Sequence, residues 1–355
     1  MQKKLIALAV ASLASAPLVA QAADVTFSGL LDLGVAIQEQ ETAGVTAKKT
    51  TAGIANGSAT SAFKVTITED LGGGMKVTGY METDPALGTE GGAAFANAPN
   101  WLQLSGNFGS ITLGYMNNYA LSASSASQPY GTGLASGYNA TFGRLDGVNS
   151  IGTPSFVATG GNGARDIRIR NSIQYDLPRM GGFTAGVIYK FQNDDFAGTV
   201  DGVGNMQFGA SFATGPFTIV GALSTFEYAS AAPVVGTSDS FTHTLVGANF
   251  KFGAFTIYGG VTMSEADNSN DLDSSSMNVA VKFDLSPTLN IGANIVEVDD
   301  GNATDRDRDL VGFGLDYSLS KRTAMYVRYQ SGDKNSAAGN SGDYSDMAVG
   351  LRHSF

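Results

Sequence analysis

The last nine residues, "MAVGLRHSF" from Met347 to Phe355, carry the strand pattern that decides the fold. One side of an extended chain would present Met347, Val349, Leu351, His353 and Phe355, and the other Ala348, Gly350, Arg352 and Ser354. A period of two is typical of a strand with one apolar face. Chain ends usually fray in water, so a strand that reaches the final residue must be held by neighbouring strands. The pattern therefore predicts a paired C-terminal strand in which Phe355 has a function of its own.

The same alternation recurs along the chain. It is clear in "DVTFSGLLDLGVAI" (24–37), "SAFKVTITED" (61–70), "IRIRNSIQYDL" (167–177) and "MNVAVKFDL" (277–285). In the third of these, Ile167, Ile169, Ile173 and Tyr175 alternate with Arg168, Arg170, Ser172 and Gln174. No stretch after the N-terminal segment has a convincing helical period. The chain is therefore predicted to be all-β, with strands that have one apolar and one polar face.

The connections between these strands alternate between short and long. Tight Gly- or Pro-rich turns such as "EDLGGGM", "GNFGSI" and "KFGAF" predict hairpins. Longer polar loops are predicted at about 39–60, 85–98, 117–165, 193–203, 227–239, 264–275, 299–307 and 331–343. The count is about 16 strands of roughly ten to twelve residues, the length that crosses a bilayer at a tilt.

Two architectures fit such strands, and the polar faces favour one of them. A soluble sandwich or propeller turns its apolar faces to a core, whereas a membrane barrel turns them to lipid and its polar faces to a lumen. Here the polar faces often carry charged or small residues, and aromatic residues gather near strand ends, as in the girdles at membrane interfaces. These features favour a 16-stranded antiparallel transmembrane β-barrel with short turns at one rim and long loops at the other.

The N-terminus predicts export. Lys3 and Lys4 precede an apolar run that ends in Ala20-Gln21-Ala22, the three-part order of a secretory signal peptide. We expect residues 1–22 to be cleaved and residues 23–355 to form one barrel domain. The chain has no cysteine, which excludes disulfides and Cys-based metal sites, and its net charge of −11 argues against nucleic acid as a partner.

Particular segments resemble the general porins of Gram-negative bacteria, especially the beta-proteobacterial type. The terminal Phe355, preceded by alternating apolar residues, resembles the assembly signal of outer-membrane proteins. "ADVTFSGLLDLGV" (23–35) resembles the first porin strand, and "WLQLSGNFGSITLGYMNN" (101–118) resembles the fourth and fifth strands with their tight turn. The resemblance implies a homotrimer in the outer membrane, with short periplasmic turns and long outer loops. It also implies contact with lipid and lipopolysaccharide and insertion by the outer-membrane assembly machinery.

The resemblance also implies a channel for passive diffusion of small hydrophilic solutes and ions. The third long loop of the family folds into the lumen and narrows it, and the longest predicted loop, about 117–165, follows the fifth strand as the family requires. This loop carries Asp146 beside Arg144, whereas family members often have several acids there.

Basic residues on predicted lumen faces are candidates for the wall that faces this loop. They are Lys64, Lys76, Arg168 and Arg170. A basic wall would guide anions through the narrow zone, while the alternative is that channel water merely solvates these charges. We expect a mild preference for anions at high salt and a shift toward cations at low salt, where acidic outer loops act over longer distances.

Other functions have weaker support in the sequence. The acidic runs 265–273 and 299–309 could bind divalent cations, although neither has the spacing of a calcium loop, and no other cofactor is expected. Catalysis is not expected, because His243 is the only plausible base and no serine or metal motif accompanies it. The alternative to a channel is a plugged structural or adhesive barrel that acts through its external loops.

Overall fold

The computed structural model describes residues 23–42, 45–53, 57–85, 87, 95–136, 168–191, 203–228, 240–267, 274–299, 307–334 and 342–355. The predicted signal peptide, Arg144 and Asp146 lie outside these residues, as does most of both acidic runs. Within the described residues, no helix is long and apolar enough to cross a membrane.

In the described part of the chain, seventeen antiparallel strands form one sheet, and 16 of them make up a closed barrel. The strands are β1 Asp24–Thr42, β2 Val45–Ala52, β3 Ala62–Gly72, β4 Met75–Thr83, β5 Asn100–Gly106, β6 Gly109–Asn117, β7 Arg168–Asp176, β8 Phe183–Lys190, β9 Val203–Thr214, β10 Phe217–Tyr228, β11 Ser240–Phe252, β12 Phe255–Asp267, β13 Ser274–Ser286, β14 Leu289–Asp299, β15 Arg308–Ser318, β16 Thr323–Lys334 and β17 Gly342–Ser354. Each barrel strand pairs with its neighbours in the chain, so the predicted hairpin order is confirmed.

The first and last strands close the barrel. β1 pairs with β17 from Leu30↔Ser354 to Gln40↔Tyr344. Beyond β17, Phe355 N donates to Gly29 O and Gly29 N donates to Phe355 O, both at 3.1 Å. Closure removes the free sheet edges that an open sheet would present. The prediction that the C-terminal strand is held by its neighbours is therefore confirmed.

The extra strand corrects one predicted loop. Residues 39–60 were predicted to form an outer loop, but β1 continues to Thr42 and turns back as β2. The C-terminal part of β1, from Val35 to Thr42, pairs with β2, and its N-terminal part, from Asp24 to Leu30, pairs with β3. The prediction failed because β2, "VTAKKTTA", lies at a rim where its residues up to Thr50 are exposed and therefore show no apolar alternation.

The two faces of the barrel differ as the alternation predicts. On β13, Met277 and Val279 are exposed on the outer face, whereas Asn278 and Ala280 are buried on the inner face. The same holds on β17, where Leu351 is exposed. Apolar side chains on the outside of a closed barrel match lipid, and polar or small ones inside leave room for a lumen.

Candidate functional site

A helix inside the barrel begins the third loop, which connects β6 to β7. This helix, α1, spans Tyr119–Ala126 and packs against inward-facing Ala222 and Leu245. Asn118 caps it, since its side-chain oxygen accepts from Leu121 N at 2.9 Å. The prediction that the third loop folds inward is confirmed, but the helix was missed. Its sequence "YALSASSA" consists mostly of small residues without an apolar stripe, and the cap at Asn118 was the usable signal.

Polar side chains of the wall hold the third loop along the inner surface. Asn249 and Asn278 donate to the carbonyl oxygens of Ala126 at 3.0 Å and Ser127 at 2.6 Å. Further along, Tyr130 donates to Gly314 O at 2.7 Å, and Gln330 Oε1 accepts from Ala135 N at 3.0 Å. Tyr119, at the start of α1, donates to Asp176 Oδ1 at 2.6 Å. The described part of the loop therefore lies against the wall from β7 to β16.

Glycines on the inner face make this close approach possible. A Cβ at each of them would lie closer than 3.0 Å to an atom of the third loop, a distance that real Cβ atoms do not reach. They are Gly186, Gly209, Gly247, Gly260, Gly292, Gly312 and Gly314, and we call them the glycine track. Glycine inside a strand weakens the strand and often marks a close approach of another backbone. The recurrence of glycine at inward-facing positions is a feature of the sequence that indicates the path of the loop.

A second stretch of chain, residues 57–61, also lies inside the barrel, and we call it the inner segment. Asp32 on β1 is fully buried, and its carboxylate accepts from the backbone N–H groups of Ser58 and Ala59, both at 2.7 Å. The Tyr326 hydroxyl donates to the other oxygen of the same carboxylate at 2.6 Å. The third loop rests on this segment, because Leu134 N donates to Gly57 O at 3.2 Å. Asp32 thus holds the inner segment in place, and the third loop packs on that segment.

Arg328 contacts both the third loop and the inner segment. It is 1% exposed, forms a salt bridge with Asp316 at 2.9 Å, and lies over the Tyr130 ring at 4.0 Å from the centroid. Its Nη2 also contacts Ser58 Oγ at 3.3 Å. A buried guanidinium needs such partners, because an unpaired buried charge is strongly unfavourable. Arg328 therefore acts as a support between the third loop and the inner segment.

Two of the predicted basic residues, Lys64 and Arg168, contact an acidic pair made of Glu82 on the inner wall and Asp84 just after β4. Lys64 Nζ lies 3.6 Å from Glu82 Oε2, and Arg168 lies 3.5 Å from Glu82 and 2.7 Å from Asp84. Lys64 is the most open of the four, at 39% side-chain exposure, whereas Glu82 is at 9%. Burial raises the pKa of the Asp84 carboxyl, although Arg168 beside it acts in the opposite direction. Glu82, near the end of β4, and Asp84, just after it, were not predicted as site residues.

A β-bulge changes the face of the residues at the start of β7. Gly114 pairs with Ser172, but Met116 pairs with Ile169, and Asn171 has φ of 50°. Ile169 is consequently buried on the inner side with Met116. The prediction of one polar face from Arg168 to Gln174 is wrong, because the extra residue reverses the alternation.

The remaining predicted site residues are spread out. Arg170 is exposed, with its guanidinium 5.2 Å from the centroid of the Tyr115 ring, and among the described contacts it does not join the Glu82 and Asp84 cluster. Lys76 is exposed beside the Gly73–Gly74 turn, at the short-turn rim. Arg144 and Asp146 lie outside the described residues, so their place in the narrow zone stays a prediction.

Side chains that could bind a metal or catalyse a reaction are scarce in the described part of the chain. No group of three or more His, Asp or Glu side chains there is placed to hold a metal ion. His243 Nδ1 lies 2.9 Å from Ser264 Oγ, a contact that the sequence did not suggest. Both residues are buried, at 5% and 1% exposure, which separates the pair from solutes in the lumen.

Comparison with known proteins places the barrel in a family. The model of the Gram-negative porins matches residues 7–338. The chain belongs to the Gram-negative porin family. Outer membrane porin protein 32 of Delftia acidovorans is 30% identical over 340 residues, which cover 92% of this chain and 88% of that protein.

Solved porin structures share the fold. The anion-selective porin from Comamonas acidovorans aligns with a TM-score of 0.74 at 24% identity, covering 94% of this chain and all of that one (100%). The trimer form of OmpT from Vibrio cholerae aligns with a TM-score of 0.62 at 15% identity, covering 94% of this chain and 100% of that one. This porin therefore lies in the outer membrane and forms a channel for passive diffusion of small hydrophilic solutes and ions.

Proposed function

We propose that this porin is a homotrimer whose channels mildly prefer anions at high salt. One observation carries the preference: in the cluster of Lys64, Glu82, Asp84 and Arg168, the Lys64 side chain is 39% exposed, whereas those of Glu82 and Asp84 are only 9% and 17% exposed. Ions that pass through a narrow zone come within a few ångströms of the wall, where salt screens charge least. A permeating ion would therefore come closer to the positive charge of Lys64 than to the two carboxylates, which favours anions.

Two similar outer-membrane proteins support this proposal. The solved porin from Comamonas acidovorans is described as anion-selective, and the OmpT structure is described as a trimer form. At low salt, the acidic outer loops would act over a longer distance and draw the preference toward cations. We do not expect catalysis. We propose that the acidic loops 265–273 and 299–309 bind divalent cations, which bridge them to lipopolysaccharide.

Reversal potentials across a KCl gradient test the ion preference. We expect a mild anion preference at about 1 M salt, where screening reaches only ~3 Å, and a shift toward cations at about 0.01 M. Arg168→Ala should shift the preference toward cations at both concentrations, because it removes the partner of Asp84 and one partner of Glu82.

The control for this measurement is Lys48→Gln. Lys48 is an exposed lysine paired with Glu39 on the β1–β2 hairpin, outside the lumen, so its loss should leave the preference at high salt unchanged. Strong cation selectivity of the unmodified channel at about 1 M salt would contradict the proposal, since outer-loop charge is screened there.

We also propose that residues 1–22 are removed on export and that Phe355 directs assembly into the outer membrane. The Phe355 ring packs on the outer face over Gly29 and near Phe63, with centroids 6.3 Å apart. Phe355→Ser should therefore greatly reduce the amount of folded barrel in the outer membrane, measured as the band that changes mobility on boiling.

A second variant separates recognition of Phe355 from packing of its ring. Gly29→Val keeps the terminal residue but crowds both the ring and the pairing of β1 with β3, because a Cβ at Gly29 would overlap ring atoms and the backbone oxygen of Ala62. Defective assembly in Phe355→Ser with near-normal assembly in Gly29→Val would support a signal. Normal assembly of Phe355→Ser would show that the terminal residue has no such role.

A further inference from the structure

The single tryptophan of this porin lies on the inner wall. Trp101 alternates with Leu102, which is 55% exposed on the outer face, and shares its face with Gln103, whose side chain donates to the buried Thr112. Tryptophan in membrane proteins is enriched at the lipid interface, so this inward position is unusual.

Trp101 forms an aromatic platform with Tyr80. The two residues are directly paired on β4 and β5, and their rings stack with centroids 5.0 Å apart and an interplanar angle of 15°. Trp101 also packs against the apolar cluster of Met116, Ile169 and Ile188, which fixes its position. Both rings are only half-buried, so part of the platform is open to a solute.

A positive charge lies beside this platform. The Tyr80 hydroxyl donates to Glu82, and the same carboxylate lies 3.6 Å from Lys64 Nζ. Glu82 is covered while Lys64 is 39% exposed, so the ammonium can bind a second anion that approaches from the lumen. An aromatic surface and an exposed cation thus lie together on three adjacent strands, β3, β4 and β5.

We propose that Trp101, Tyr80 and Lys64 form a binding station for planar aromatic carboxylates in transit through the channel. The solute ring packs against the aromatic platform, and its carboxylate contacts the Lys64 ammonium. An aliphatic acid of the same charge contacts the ammonium without the same stacking. This inference deepens the proposed anion preference and rests on it for the sign of the solute charge.

Competition in single channels tests the station with two acids of equal charge and similar size. Benzoate is planar and aromatic, whereas cyclohexanecarboxylate is neither. At millimolar concentration in KCl, we expect benzoate to reduce the chloride current several-fold more than cyclohexanecarboxylate does. Trp101→Leu should abolish this difference, Trp101→Phe should retain part of it, and Lys64→Gln should weaken the effect of both acids alike.

Two controls keep the outcomes distinct. Phe313→Leu removes an aromatic ring from the outer face, where Phe313 is 52% exposed, and should leave the difference unchanged. If Trp101→Leu does not assemble, Tyr80→Leu supplies the same comparison. Equal reduction by the two acids in the unmodified channel, or an unchanged difference in Trp101→Leu, would overturn the station. The KCl reversal potential, measured on the same channels, reports separately on the anion preference.

Discussion

Replacing Asp32 with asparagine is expected to free the inner segment and to lower the free energy of unfolding by about 2 kcal/mol or more. The carboxylate receives two backbone N–H groups and the Tyr326 hydroxyl, and it is fully buried. An amide oxygen accepts the two N–H groups more weakly than a carboxylate does, and its NH2 group can bond to Tyr326 only if that hydroxyl reverses its role and its own proton loses its acceptor. The third loop rests on this segment through Leu134, so the constriction should widen and the single-channel conductance should rise.

The control for this variant is Asp70→Asn. Asp70 also accepts a backbone N–H, from Gly72 at 2.8 Å, but in an exposed turn between β3 and β4. It should change neither the conductance nor the temperature at which the folded band is lost on heating in detergent. An Asp32→Asn channel with unmodified conductance and heat stability would show that Asp32 does not hold the inner segment.

Gly247→Ala is expected to push the third loop away from the wall and to cost about 1–3 kcal/mol of stability, as overpacking does. A Cβ at this position would overlap the carbonyl oxygen of Ala123, in the middle of α1. Backbone cannot move aside as a flexible side chain can, so the helix must shift. We expect an altered conductance together with a lower unfolding temperature.

Gly221→Ala provides a matched control on the neighbouring strand β10. No atom lies within 4 Å of a Cβ built there. Alanine should be neutral or slightly stabilising at this position, since glycine inside a strand is unfavourable by roughly 0.5–1 kcal/mol relative to alanine. Equal effects of the two substitutions on conductance would contradict a close-packed third loop.

The barrel could be predicted from the sequence because each strand shows its two faces through the alternation of neighbouring residues. A strand between lipid and water must alternate, so residues such as Val279 and Asn278 indicate their faces directly. The alternation of short turns and long loops then gives the hairpin order. The inward fold of the third loop followed from a family resemblance rather than from its own residues.

The site was harder to predict because its contacts join residues distant in the chain. Asp32 and Tyr326 are 294 positions apart, and neither has a local pattern that indicates the other. The bulge at Asn171 reverses the alternation, which period-two analysis assumes to be unbroken. The acids Glu82 and Asp84 lie where β4 meets a loop, so parity alone did not place them beside Arg168.

Single-channel recording of the unmodified protein in a planar bilayer tests the central claim most directly. The claim is that the lumen is an open channel, narrowed by a third loop and an inner segment that are both fixed to the wall. We predict discrete and steady conductance steps in KCl from protein shown to be folded by its change of mobility on boiling. A bilayer that stays silent with such folded protein would contradict the claim and favour a plugged barrel.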